Sequence, residues 1–239
     1  MAPYPCDSPA PIEKEPHHHL AIANEFVRAF AVEIAPHDHT LCHRHEHEYL
    51  MYVACLADIV SAPREEEPET HLYKDEECEL APPGMVHVVE NLTDTKFRNI
   101  LLEFLPRAAD LRRGRAPDVV EGGIGRRVRQ RFDSRMASVY VLSMRPNSEV
   151  QISGPAVVAS PYGHEVELLE PGERATKLNK FEDLAWLRPF ENGIVRSHAK
   201  TSARVVVFQL GASDEEPLSV RKTIGEPLKS LRTHAEDPE

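Results

Sequence analysis

The chain contains itself twice. KFRNILLEFL, residues 96–105, reappears as SARVVVFQLG, residues 202–211, at an offset of 106. The same offset sets LAPPGMVHVVEN beside WLRPFENGIVRS, so that Pro83 matches Pro189 and Val89 matches Val195. Upstream, VEIAPHDHTLCHRHEHEYLMYVA stands beside LSMRPNSEVQISGPAVVA. There Pro36 matches Pro146 and Val53-Ala54 match Val158-Ala159, offsets of 110 and 105, making the second copy five residues shorter. A repeat of this length predicts two folded units of one kind.

The repeated segments read as strands. FVRAFAVEI and LMYVACLADIV alternate apolar and polar positions and end at Pro or charged residues, the pattern of half-buried β-strands. ECELAPPG gives a short strand into a Pro-Gly turn, FRNILLEFL gives another, and APREEEPE, residues 62–69, is a charged loop. Almost nothing between residues 20 and 105 carries a helical period. With 239 residues, 41% hydrophobic and 28% charged, the chain has enough material for a real core. The fold class expected is all-β: two small antiparallel barrels in tandem.

Composition excludes several function classes. A net charge of −11, from 28 basic and 39 acidic residues, disfavours a general nucleic-acid surface. The arginine-rich stretch RAADLRRGRAPDVVEGGIGRRVRQRF reads as a connection or a strand rim pairing with acidic neighbours. No run of eighteen apolar residues occurs, and MAPYPCDSPAPIEKEP has neither a basic start nor an apolar stretch, so no membrane span or signal peptide is expected. Cys6, Cys42, Cys55 and Cys78 form no C-x-x-C pair, so reduced thiols in a cytoplasmic protein are expected, with Cys42 a small core residue.

Histidine is the outlier. Five of thirteen fall in PHDHTLCHRHEHEY, residues 36–49. His43, His45 and His47 are spaced by two, so on a strand they project from one face, where imidazoles converge on a cation. PPGMVHVVEN adds His87 after a rigid turn, with Asn91 beyond it. His17, His18 and His19 follow no strand pattern and are expected to be exposed. His37 and His39, beside Pro36 and Asp38, read as a turn.

At these residues the sequence resembles the cupin superfamily, whose first motif is G-x5-H-x-H-x3,4-E-x6-G and second is G-x5-P-x-G-x2-H-x3-N. Pro82, Gly84, His87 and Asn91 meet the second from its proline onward, and His43 and His45 supply the paired histidines of the first. The resemblance covers residues 20–105 directly and residues 137–211 through the repeat, implying a bicupin. There are departures. The leading glycines fall on His37 and Glu76, so those turns are expected to be made differently. The first motif's closing glycine is missing around Ala57-Asp58. The carboxylate's place is taken by Tyr49 and Leu50, with Glu48 one residue early.

The resemblance thus implies a metal site of His43, His45 and His87, with Tyr49 or His47 near the missing carboxylate. Three neutral imidazoles suit Fe, Mn, Ni, Cu or Zn. Tyr49, His47 and Glu48 are the candidates for proton transfer or substrate binding. In the second copy Gly193 stands at the place of His87, and Ser153 and Pro155 at the places of the paired histidines, so that unit is expected to be inert. His164 and His198 lie off the motif. The organisation expected is an arm at residues 1–16, a metal-binding cupin at 17–106, a connection at 107–136, a degenerate cupin at 137–211 and a polar tail at 212–239. The function expected is a metal-dependent enzyme, of oxygenase or isomerase/lyase type, acting on a small polar molecule. The alternative is a binding or sensing module without chemistry. Pairing through strand edges as a homodimer is what the resemblance implies for assembly.

Overall fold

The computed structural model describes residues 6–119, 127–172 and 175–212. Residues 1–5 of the arm, residues 120–126 of the connection and all of the tail beyond Ala212 lie outside them. The first unit consists of β1 (Ala10–Pro11), β2 (His18–Ala23), β3 (Val27–Ile34), β4 (His43–Arg44), β5 (Tyr49–Val53), β6 (Ala57–Pro63), β7 (Glu69–Tyr73), β8 (Cys78–Ala81), β9 (Val86–Asn91) and β10 (Phe97–Phe104). The second consists of β11 (Asp118–Val119), β12 (Arg127–Asp133), β13 (Ala137–Met144), β14 (Glu149–Ser153), β15 (Ala156–Ala159), β16 (Val166–Leu169), β17 (Thr176–Leu178), β18 (Leu184–Leu187), β19 (Asn192–Ser197) and β20 (Ala203–Leu210).

Each unit is a pair of five-stranded sheets with one topology. In the first unit the orders are β1-β4-β9-β6-β7 and β2-β3-β10-β5-β8, and in the second they are β11-β14-β19-β16-β17 and β12-β13-β20-β15-β18. Every strand thus has its counterpart ten places on. Among the described residues the named strands pair antiparallel except that β1 runs parallel to β4, and an isolated bridge between Arg112 and Ala212 is also parallel. The registers correct the sequence alignment after the histidine cluster. Leu101 faces Met51 and its repeat partner Val207 faces Val158, so Met51 rather than Val53 matches Val158, at an offset of 107. The offset before the cluster is 110, as Ile34 and Met144 show by facing Phe97 and Ala203, so the second copy is three residues shorter rather than five.

The two units are joined through a shared core. Along β3, Phe30, Val32 and Ile34 point between the sheets of the first unit, where Ile59, Tyr73, Phe97 and Leu101 meet them. Ala29 and Ala31 point the other way, into a cluster with Leu50, Tyr52, Ile100 and Leu102 and with Val139, Val141, Val206 and Phe208 of the second unit. These central strands are therefore buried on both faces rather than half-buried, because the second unit covers what would otherwise be solvent surface. Polar bonds reinforce the join. Tyr162 donates its hydroxyl hydrogen to Asp75 at 2.6 Å, and the Arg204 guanidinium lies 3.6 Å over the Tyr162 ring while pairing with Asp75.

His37 and Glu76, at the two leading-glycine places, adopt the left-handed conformation with φ of 56° and 68°. Asn147, the repeat partner of His37, does the same at 55°. Asn91 is fully buried, and its amide donates to the carbonyls of Ile34, Ala35 and Thr95 while its oxygen accepts from Thr93, tying the β3 and β9 turns together. From Cys6 onward the arm is tied to the first unit. Ile12 and Glu15 are buried, and Cys6 and Cys42 are joined in a disulfide, which corrects the expectation of reduced thiols for that pair and of a core role for Cys42. Cys55 and Cys78 are free. Such a bond persists in oxidising surroundings. No helix among the described residues is long and apolar enough to cross a membrane.

Candidate metal centre

Three imidazoles come from one sheet. His43 on β4 stands directly opposite His87 on β9, and His45 extends the same ladder past the strand end, its N–H donating to the Met85 carbonyl at 2.9 Å. The Pro-Gly turn makes this possible, since Gly84 takes φ of 89° and donates its own N–H back to the His45 carbonyl at 2.8 Å. The fourth imidazole comes from the facing sheet. His18 on β2, opposite Val32 of β3, brings its ring to 4.8 Å from His43. This corrects the expectation that His18 is exposed: all four rings are buried.

The rings form one cluster. Centroids of His43 and His87 are 4.7 Å apart, those of His43 and His45 5.0 Å and those of His45 and His87 5.3 Å. Nitrogens of His18, His43 and His45 lie within 4.8 Å of one another, and Nε2 of His45 and His87 are 3.3 Å apart. That last spacing suits two nitrogens bound to one ion at roughly 2.0–2.1 Å.

Three of the four rings are turned by a hydrogen-bond partner on the outer side. His18 Nδ1 bonds Glu15 at 2.6 Å, His43 Nδ1 bonds the Leu41 carbonyl at 2.9 Å, and His87 Nδ1 meets the Ser61 hydroxyl at 3.2 Å. His45 is the exception: its Nδ1 has no hydrogen-bond partner, the nearest acid being Glu103 Oε1 at 3.7 Å. Glu103 is itself buried and paired with Arg28 at 2.6 Å, and Arg28 also bonds Glu13. Outer partners of this kind fix tautomer and orientation and leave the inner nitrogens as donors to a metal. His43 Nε2 is buried with no hydrogen-bond partner, an orphan that a cation satisfies.

Electrostatics agree with the geometry. Burial, helped by the neighbouring His18, pushes His43 down to about 4. Burial and the adjacent imidazoles push His45 and His87 well below the usual histidine range, and burial lowers His18 against the pull of Glu15. Burial opposes ionisation of Glu15, but hydrogen bonds from His18 and His17 overcome it and hold the carboxyl at about 2. The set at neutral pH is therefore four neutral imidazoles with an ionised carboxylate behind one of them, which fits a first-row divalent metal.

The remaining candidates fall out differently. Tyr49 stacks on His45, but its hydroxyl reaches only Met85 Sδ, at 3.5 Å, and burial pushes it far above the ordinary phenol range. His47 is half-buried and does not line the cavity, whereas Glu48 lines it and pairs with Arg135 at 3.3 Å. His37 is exposed and paired with Asp94, and His198 is paired with Glu167. Sequence reasoning missed His18, Glu15, Glu103 and Asn99. The signal for His18 was weak, because β2 begins at it and HHHLAIA shows no clean alternation.

A cavity of about 530 Å³ opens from the cluster between the sheets, walled by apolar side chains such as Val32, Ile34, Ile59 and Phe97. The second unit lacks the donors. Ile152 pairs with Gly193 as His43 pairs with His87, and Gly154 bonds Glu191 as His45 bonds Met85, so Ile152 and Gly154 rather than Ser153 and Pro155 hold the paired-histidine places. Val128 stands at the place of His18. Its interior is filled by Leu142, Ile152, Val166 and Leu168, and a side chain at Gly193 would meet Leu168 at 3.0 Å.

Paired sheets of this order, with histidines on facing strands and a Pro-Gly turn before His87, make the fold that of the cupins. Among solved structures it is shared with a salicylate 1,2-dioxygenase from Pseudaminobacter salicylatoxidans, at 13% identity over 80% of this chain and 75% of that one, with a TM-score of 0.52. It is shared also with AerE from Microcystis aeruginosa, at 10% identity over 82% and 98%, with a TM-score of 0.51. At these identities the likeness is one of fold. No family model and no curated protein sequence matches the chain.

Proposed function

We propose that the cavity of the first unit is the site of a metal-dependent enzyme, of oxygenase or isomerase/lyase type, acting on a small polar molecule. The observation that carries this reading is the orphaned His43 Nε2 within four neutral, buried imidazoles at the wall of a ligand-sized cavity. A divalent Fe, Mn, Ni, Cu or Zn ion held by His18, His43, His45 and His87 would supply Lewis acidity there, and a redox-active one dioxygen chemistry. Support for the oxygenase class comes from the salicylate 1,2-dioxygenase of the same fold. The chain's own part is to hold the rings of His18, His43 and His87 by Glu15, Leu41 and Ser61, and to exclude water with the apolar walls. Asn99 and Glu48 are among the polar groups that line the cavity and would meet a substrate.

One observation favours a second reading, a binding or structural site without turnover. His18 is a fourth protein donor, and four donors close a tetrahedral zinc site, whereas a six-coordinate ion keeps two positions open. Elemental analysis of untagged protein purified without added metal tests the first reading. About one first-row metal per chain is expected, absent from a His43→Ala, His87→Ala variant that keeps its β circular dichroism. No metal in the protein, and none taken up on reconstitution, would overturn the metal site. Water-proton relaxation of the Mn(II) or Cu(II) form separates the readings, since rapid exchange marks open positions and its absence a closed site.

A further inference from the structure

We infer that the second unit binds a small aromatic anion, in a cavity separate from the metal centre. The arginine-rich stretch between the units is expected to pair with acidic neighbours, and much of it does: Arg107 meets Glu25, Arg113 meets Asp133, and Arg129 and Arg131 meet Glu76. Arg112 and Arg115 are exceptions. Both are exposed, neither has an acid partner among the described residues, and both line one cavity of about 440 Å³. Glu191, the one acid among the described residues of that lining, faces Arg188 at 3.6 Å. On a chain of net charge −11, two unopposed guanidiniums in one hollow make a local field that attracts an anion.

The backbone that carries these arginines is held in place. Gly114 passes so close to the end of β14 that a side chain there would meet the Gly154 carbonyl oxygen and Ser153 Oγ at 2.7 Å. The Arg115 carbonyl accepts from Ser153 Oγ at 2.9 Å and from the Gln209 amide. Between them the Arg113 guanidinium donates to Asp133, to the Ser138 hydroxyl and to the carbonyls of Ser134 and Gly211. A held backbone lowers the ordering cost of binding. Phe190 lines the same cavity, in the left-handed conformation and with its ring almost fully exposed. Backbone strain that displays an aromatic ring to water is not repaid within the free protein, and such outliers cluster at ligand sites. The ring offers a stacking face, and the guanidiniums offer forked donors for a carboxylate or phosphate. The first unit has Gly84 at this place, so the ring is a feature of the unit without the histidines.

Phenyl phosphate, benzoate, inorganic phosphate and benzyl alcohol separate the ring from the charge. Each is titrated into the full chain with the Gly114 backbone amide followed by NMR, a reporter that belongs to this cavity and not to the metal centre. Phenyl phosphate or benzoate is expected to bind roughly tenfold more tightly than inorganic phosphate, which lacks the ring, and than benzyl alcohol, which lacks the charge. The tighter of the two names the anion, and added salt weakens both. An Arg112→Gln, Arg115→Gln variant, changed only at exposed side chains, is expected to keep its thermal melt and lose roughly tenfold in affinity. Phe190→Gly is expected to bring phenyl phosphate to the level of inorganic phosphate. An unmoved Gly114 amide with both aromatic anions, benzyl alcohol or inorganic phosphate binding as tightly as they do, or undiminished binding in the double arginine variant would overturn the inference.

Discussion

The Tyr49 ring lies on the His45 imidazole with centroids 4.1 Å apart and planes inclined by 24°. Tyr49 therefore fills, as an aromatic wall, the place where the motif would put a carboxylate, and a fourth imidazole, that of His18, joins the cluster from the opposite sheet. Because the hydroxyl meets only Met85 sulfur, Tyr49→Phe is expected to leave metal stoichiometry and any turnover unchanged. Tyr49→Ala removes the buried ring and is expected to cost roughly 3–5 kcal/mol of stability. Urea unfolding and elemental analysis of both variants check this. Loss of metal from Tyr49→Phe would make the phenol a ligand after all.

What could be read in the sequence was what is local or repeated. His43, His45 and His87 announce themselves because strand alternation and a Pro-Gly turn fix their faces within a few residues. The double layer of strands was legible from the repeat. His18 and Glu103 were not, because each reaches the cluster only when β2 and β10 fold under the facing sheet, a tertiary relationship that no spacing encodes. The left-handed conformation at His37 and Glu76 was not legible either. Glycine is the easy occupant of such a turn, but hydrogen bonds across the sheet hold a non-glycine residue there at a modest strain.

Glu15 stands behind His18 as the only carboxylate bonded to a ring of the cluster within 3 Å among the described residues. It also accepts the His17 N–H at 2.8 Å, so its charge orients two imidazoles at once. Replacing it by Gln keeps the shape and removes the charge. Glu15→Gln is expected to weaken metal affinity roughly 10–100-fold, while Glu33→Gln, on the surface beside Lys96 and Arg98, leaves it unchanged. Competition with a colorimetric chelator reads both. Equal affinity for wild type and Glu15→Gln would remove His18 from the ligand set.

Metal-free protein is expected to lose stability on mild acidification. His43 titrates at about 4 in the fold against 6.5 for the free side chain, so below 6.5 the unfolded chain takes up the proton first. The contribution is fully present above pH 6.5 and is lost as pH falls toward 4, about 3 kcal/mol from this one ring at 1.36 kcal/mol per unit. His18, His45 and His87, lowered in the same direction, add to it. The urea midpoint of chelator-treated protein should therefore fall between pH 7 and pH 5, and fall less steeply in His43→Ala. A midpoint independent of pH across that range would mean that the cluster is solvated rather than buried.

Phe190 stands at the repeat position of Gly84 and holds the same left-handed turn, with φ of 66° against 89°. Its ring is 93% exposed and so returns almost no burial for the strain. A non-glycine residue in this conformation costs roughly 1–2 kcal/mol, and glycine's greater freedom in the unfolded chain gives back about 0.5–1 of that. Phe190→Gly is thus expected to stabilise the protein by about 0.5–1 kcal/mol, with metal content unaltered because the second unit has Ile152, Gly193 and Val128 at the places of the cluster's histidines. Gly84→Ala should act in the opposite direction and more strongly. The Gly84 N–H holds the His45 carbonyl, so strain there loosens the strand end that carries a ligand as well as the fold. Thermal melts of the two variants with metal quantified alongside would show both effects, and a destabilised Phe190→Gly would mean that the ring is covered in the native protein.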